Sequence, residues 1–203
     1  FKITNNSIKD TLVFTLKREN PKKRYQSNYA PLPFTDIEDD KCSDFLTQNG
    51  YDTEMFKGEG ATETELKKID NPSILHSATH SYYEYPENID NKSYVIHTGF
   101  YNKSYWGNPE LFGGILMAGC NAFYIEESKT GVDNGIVNSA EISQLDLSST
   151  ELVVMSSCES AKGSMGIASN LNGFMEGLQL AGARKVIASL WSVSDSKTAE
   201  FMV

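Results

Sequence analysis

Apolar residues in this chain fall into short unbroken runs and into runs spaced three or four apart, with polar or glycine-containing breaks between them. Unbroken runs of β-branched and large apolar residues read as strands, and the three-four spacing reads as one face of a helix. Thr11–Leu16 is the first strand candidate. Thr35-Asp36-Ile37-Glu38 follows the helix-opening pattern of Thr with Glu three residues on. Ile37, Cys42, Phe45 and Leu46 supply its apolar face, and Asn49-Gly50 its stop. Tyr51–Lys57 predicts a strand and Gly58-Glu59-Gly60 a turn. Ala61–Leu66 predicts a capped short helix ended by Asn71-Pro72, and Ser73–His80 the next strand. Further on, Gly113–Gly119 and Asn121–Ile125 predict a hairpin, and Ala140–Leu145 a short helix. Leu152–Met155 reads as a strand buried on both faces. Gly166–Ala181 carries Ile167, Leu171, Phe174, Met175, Leu178 and Ala181 at helical spacing, with Gly182 as the stop. Val186–Trp191 predicts another buried strand. This alternation of strand and helix is that of a parallel α/β sheet.

Two stretches break the alternation. Lys17 to Pro33 holds Arg18, Lys22, Lys23 and Arg24 and reads as a solvated basic connection, with a processing or docking strip as the alternative. Ser81 to Pro109 is long, aromatic and irregular, with a small hairpin predicted around Ser93–Thr98. It either walls a cleft beside His80 or packs against another part of the protein.

The ends of two strands carry chemistry. Ser156, Ser157 and Cys158 close the Leu152–Met155 run, and His80 closes the run from Ser73. Ligand and catalytic groups in open α/β sheets sit beyond the carboxyl ends of the strands. If these two strands are neighbours, about 5 Å apart, the imidazole can take the thiol proton or hold a thiolate–imidazolium pair. The plain alternative is a buried structural cysteine.

Composition narrows the classes. The 203 residues, 39% apolar and 22% charged, suit one soluble α/β domain spanning 1–203. A net charge of −9 argues against direct nucleic-acid binding. No apolar run reaches the roughly 20 residues of a membrane span, so no membrane partner is expected. Three cysteines, Cys42, Cys120 and Cys158, are too few and scattered for a disulfide framework, which favours a reducing cytoplasm. Phe1 in place of an initiator Met, and Ser194–Val203 reading as the opening turns of an amphipathic helix, suggest a piece of a longer protein.

Ile-Leu-His-Ser-Ala-Thr-His at 74–80, Leu-Val-Val-Met-Ser-Ser-Cys-Glu-Ser at 152–160 and Leu-Ala-Gly-Ala-Arg-Lys-Val-Ile-Ala-Ser-Leu-Trp at 180–191 together resemble the CHAT domain. Gly113–Gly119 and Ala140-Glu141-Ile142-Ser143 extend the match. That family is a caspase-like cysteine peptidase domain, distantly similar to caspases, separase, gingipain and clostripain. The resemblance implies an α/β, caspase-like three-layer sandwich with a mainly parallel central sheet flanked by helices. It implies an endopeptidase in which Cys158 attacks the scissile carbonyl and His80 protonates the leaving amine. Backbone N–H groups of Ser81 and Cys158 would hold the oxyanion, and Trp191, Ser192 and Asp195 would line the substrate pocket. The implied partners are a protein or peptide substrate and a regulatory domain or activating partner, in a cell-death or defence-type system.

Two departures from the family pattern bear on this. Ser81 stands where Gly is usual after the histidine, and strains the backbone if that position needs φ > 0. Ser157 stands where Ala usually precedes the cysteine. Asp195 either lines the pocket, with Asp146 and Glu159 behind it as candidate carboxylates, or caps the following helix, the reading preferred here. His76 and His80 are four apart, the spacing of zinc ligands on a helix. Their context is a strand with no intervening Glu, so no metal is expected, and His76 is assigned to packing or hydrogen bonding. Gly163-Ser164-Met165-Gly166 matches neither phosphate-loop nor dinucleotide patterns, so no cofactor is expected. His97 receives no role. The rival to an enzyme is an interaction or scaffold module of the same fold.

Overall fold

The computed structural model describes residues 11–15, 29, 32–83, 113–123, 133–157, 174–189 and 193–203. In chain order the elements are β1 (Thr11–Thr15), α1 (Thr35–Gln48), β2 (Thr53–Lys57), α2 (Glu63–Lys67), β3 (Ile74–Ala78), β4 (Ser81–Tyr83) and β5 (Gly113–Leu116). They continue with α3 (Cys120–Phe123), β6 (Ile136–Asn138), α4 (Ser139–Ile142), β7 (Leu152–Ser156), α5 (Phe174–Leu180), β8 (Val186–Ala188) and α6 (Asp195–Met202).

Five strands form one parallel sheet in the order β2-β1-β3-β7-β8. The chain moves one way from β1 to β2 and the other way from β2 through β3 and β7 to β8. Right-handed crossovers then require helices on both faces. Burial agrees with this. Leu66 of α2, Ile142 of α4 and Phe174 and Leu178 of α5 pack with Leu75, Val153 and Met155 in one apolar core. Residues of opposite parity, His76 and Ser156, lie on the other face under α1. A second, antiparallel sheet, β4-β5-β6, follows β3 directly. Just past β5, Ala118 N–H donates to Ala61 O, in the connection between β2 and α2, at 2.8 Å.

Strands and helix stops fall close to the sequence expectations. Gly182 ends α5 at φ +107°, a conformation a side chain rarely takes. Four expectations need correction. The helix from Thr35 is present, but its inward face holds Thr35, Glu38, Asp39 and Ser43, while Ile37 and Phe45 are 48% and 65% exposed. Its first turn is not capped by Thr35, which is itself helical and donates to Leu32 O. Gly113–Gly119 leads into no hairpin among the described residues, since β5 pairs with β4 and β6 and Cys120–Phe123 is a helical turn. Among the described residues Val186–Ala188 lies at the edge of the sheet rather than buried within it, with Ile187 48% exposed. The start of the aromatic stretch, Ser81–Tyr83, is a strand. Its remainder to Pro109, the hairpin around Ser93–Thr98, most of the Lys17–Pro33 connection and residues 166–173 lie outside the described residues.

Candidate active site

β3 and β7 are hydrogen-bonded neighbours in parallel register, with Ala78 opposite Ser156. His80 lies two residues past the end of β3, at the carboxyl end of the sheet. Its backbone is fixed from the second sheet: Leu116 N–H donates to His80 O at 2.9 Å, and Thr79 Oγ1 donates to Leu116 O. Thr79 is buried, whereas His80 keeps partial exposure. The tip of β7 is tied to the neighbouring strand's end, because Ser189 Oγ donates to Ser157 O.

The His80 ring has an aromatic neighbour in Tyr29, at 5.3 Å between centroids and a 46° tilt. Asn121 holds Tyr29 in place, accepting from its N–H at 3.1 Å and donating to its carbonyl at 3.4 Å. Both Tyr29 and Tyr82 pack on a small cluster of Leu116, Cys120 and Ile136. Burial pushes the Tyr82 phenol well above its ordinary range. This packing requires glycine at 114, where a Cβ would lie 2.4 Å from Val137 O and 2.8 Å from the Tyr82 ring.

Ser81 opens β4 opposite Ile115. The bond from Leu116 N–H to His80 O makes that neighbouring pair the hydrogen-bonded one, so Ser81 and Ile115 form a non-hydrogen-bonded pair. The Ser81 N–H is therefore left out of the β4–β5 ladder. Asn71 is the sole non-glycine with positive φ among the described residues, so Ser81 carries none of the strain its departure from glycine raised.

A polar group lies beneath these tips, under α1. Glu38 and Asp39 are both fully buried. Glu38 Oε1 lies 2.8 Å from His76 Nε2, and Glu38 Oε2 accepts from Ser156 Oγ at 3.0 Å. His76 thus hydrogen-bonds inside the domain, as expected. Asp39 lies 3.9 Å from His76 Nε2, and neither of its carboxyl oxygens has a hydrogen-bond partner. Burial pushes the Asp39 carboxyl up to about 8, with Lys57 opposing and Glu38, Asp36 and Asp40 adding to the rise. Burial, helped by Glu38 and Asp39, also pushes the Cys42 thiol up to about 11. Cys42 is therefore a poor nucleophile. Cys120 is fully buried.

Asp195 does not cap α6. Ser194 is the N-cap, its Oγ accepting from Lys197 N–H at 3.3 Å. Asp195 instead accepts from Phe34 N–H at 2.9 Å and so ties the start of α6 to the start of α1. Asp146 cannot back a pocket here. It sits in the turn before β7, where its carbonyl accepts from Asn71 N–H, at the opposite end of the sheet from His80. Cys158, Glu159, Trp191, Ser192, His97 and Gly163–Gly166 lie outside the described residues. Among the described residues, no group of three or more His, Cys, Asp or Glu side chains is arranged to hold a metal ion. No helix among them is long and apolar enough to cross a membrane.

Sequence reasoning passed over two residues. Tyr29 was hidden in a basic stretch read as solvated. Glu38 was read as a capping residue; the available signal was a lone His and a Ser at buried strand positions, which need a polar partner.

A search of curated proteins finds no match to the chain. The family model of the CHAT domain matches residues 3–203. With nearly the whole chain matched, and with a mixed α/β fold that brings the two motif-bearing strands side by side, this chain belongs to the CHAT domain family, a caspase-like, protease-related module.

Proposed function

We propose that this domain is a cysteine endopeptidase of caspase-like three-layer architecture, with Cys158 as nucleophile and His80 as its acid–base partner. The observation that carries this reading is the register of β3 and β7. Ala78 pairs with Ser156, and in sequence His80 and Cys158 each follow those paired residues by two. A thiol and an imidazole at matching offsets from paired positions suit proton transfer between them.

In this mechanism the Cys158 sulfur attacks the scissile carbonyl and its proton passes to His80. His80 then protonates the departing amine, leaving an acyl-enzyme that water hydrolyses. Ser81 supports the oxyanion role through an N–H unspent in its ladder, a contribution worth roughly 2.7–4 kcal/mol per donor where measured. Trp191, Ser192 and Asp195 remain the pocket candidates. The substrate is a protein or peptide, and a regulatory domain or partner would govern turnover.

The test is cleavage of a peptide library by the full protein, together with labelling by an active-site-directed thiol probe. Cys158→Ala and His80→Ala should each lower cleavage by at least about a thousandfold with the fold intact. A purified Cys158→Ala protein that still cuts would sink the assignment.

A further inference from the structure

One buried carboxylate joins the two strands that lead to the candidate dyad. Glu38 reaches down from α1, meeting His76 of β3 with one oxygen and accepting from Ser156 of β7 with the other. His76 precedes His80 by four residues, and Ser156 precedes Cys158 by two. Buried His76 and Ser156 need a polar partner, but the packing of the two strands does not itself demand polar residues on this face. On their reverse face the same pair is held by Leu75, Val153 and Met155. A buried carboxylate carries a desolvation cost that apolar side chains avoid. What it adds is direction and length, because charge-assisted hydrogen bonds are short and strongly oriented.

We propose that Glu38 is a positioning residue for the Cys158–His80 pair. It acts through Ser156 and His76, fixing the relative height of the β7 and β3 tips so that thiol and imidazole are spaced before substrate arrives. The proposal rests on the peptidase reading of those two residues. Glu38 has no contact with substrate in this role. Its effect is geometric, and a displacement of about 1 Å at a reacting centre can cost on the order of a hundredfold in rate.

Three variants separate position from mere packing. Glu38→Asp is one methylene too short to reach both strands. Ser156→Ala removes one arm with the smallest change in volume. Glu38→Gln keeps the length, with an oxygen to accept and an amide to donate to a hydroxyl that can also accept. In the full protein, the pH profile of Cys158 alkylation by iodoacetamide, mapped by peptide mass spectrometry, is read beside kcat and KM. His80→Ala should raise the pH at which Cys158 becomes reactive. Glu38→Asp and Ser156→Ala should move that profile in the same direction by less. They should lower kcat about 10–100-fold, with KM within about twofold, and Glu38→Gln should recover most of the loss. If Glu38→Asp fails to fold, Ser156→Ala decides alone.

A wild-type profile and kcat in Ser156→Ala and Glu38→Asp, with His80→Ala shifted, would overturn the positioning role and leave the peptidase reading standing. A change confined to KM would overturn it equally. An unshifted profile in His80→Ala would overturn the dyad itself.

Discussion

The two faces of the five-stranded sheet are built on opposite principles. Under α2, α4 and α5 the strands present Leu75, Val153 and Met155 to Leu66, Ile142 and Leu178, all close to fully buried. Under α1 the same strands present His76 and Ser156, and the helix answers with Glu38 and Asp39. The first face can be assembled from any side chains of suitable volume, since burial of apolar area is non-directional. The second tolerates few arrangements, because each polar group there needs a partner in the right place. One face supplies stability, and the other sets the relation between two strand tips.

Cutting into the apolar face should have the largest effect on stability. Leu178→Ala removes a fully buried side chain at the centre of that core and should lower unfolding free energy by about 2–5 kcal/mol, measured by urea denaturation. A smaller, pH-dependent effect is expected from Asp39→Asn. The folded state keeps the Asp39 proton up to about pH 8, whereas an unfolded chain loses it near the ordinary value of 3.8. More protons are then bound in the folded state between those limits, so the Asp39 contribution makes stability fall as pH rises from about 4 to about 8 and level off above. Asn mimics the neutral acid. The variant should gain on the order of a few kcal/mol at pH 8 and show a flatter midpoint-versus-pH curve. An unchanged slope would contradict the assignment of that burial cost to Asp39. The smallest expected effect sharpens the contrast most. Replacing the polar set together, as Glu38→Leu with His76→Leu and Ser156→Ala, should leave stability within about 1 kcal/mol of wild type or raise it. Cleavage should nevertheless be lost, and a stable, fully active triple variant would show that the acidic face has no positional role.

The apolar face was readable in the sequence and the polar face was not. Val153–Met155 and Ile74-Leu75 are unbroken β-forming runs, and parallel burial leaves them one solution. In α1 the same rule misled, since Ile37 and Phe45 look like a core stripe yet point to solvent. The rule assumes an apolar partner, and here the two strands beneath carry an imidazole and a hydroxyl. Glu38 fits a capping pattern in sequence, but a buried histidine is the stronger claimant for its carboxylate. The β5 mistake has a local cause: Gly113–Leu116 reads as half of a hairpin, but its partners are β4 before it and β6 well after it. The place of His80 just past a strand end was legible from the Ile74-Leu75 run before it. Tyr29 was not, because its contact with His80 depends on a clasp by Asn121 that no local pattern encodes.

The pairing of β3 with β7 also has a consequence in time. Ile74 lies opposite Leu152, so the strand leading to His80 waits for a segment made much later to complete its ladder. Closing so long a loop costs entropy before any contact repays it, and parallel pairings of this kind form slowly. During synthesis, a ribosome-bound chain will expose the His80 motif for many residues before its partner strand exists. If Cys158 and His80 form the proposed dyad, it is assembled at a late step, and the newborn chain has an interval of inactivity that requires no inhibitor. Refolding followed by stopped-flow thiol labelling should place the appearance of Cys158 reactivity after the formation of most helical signal.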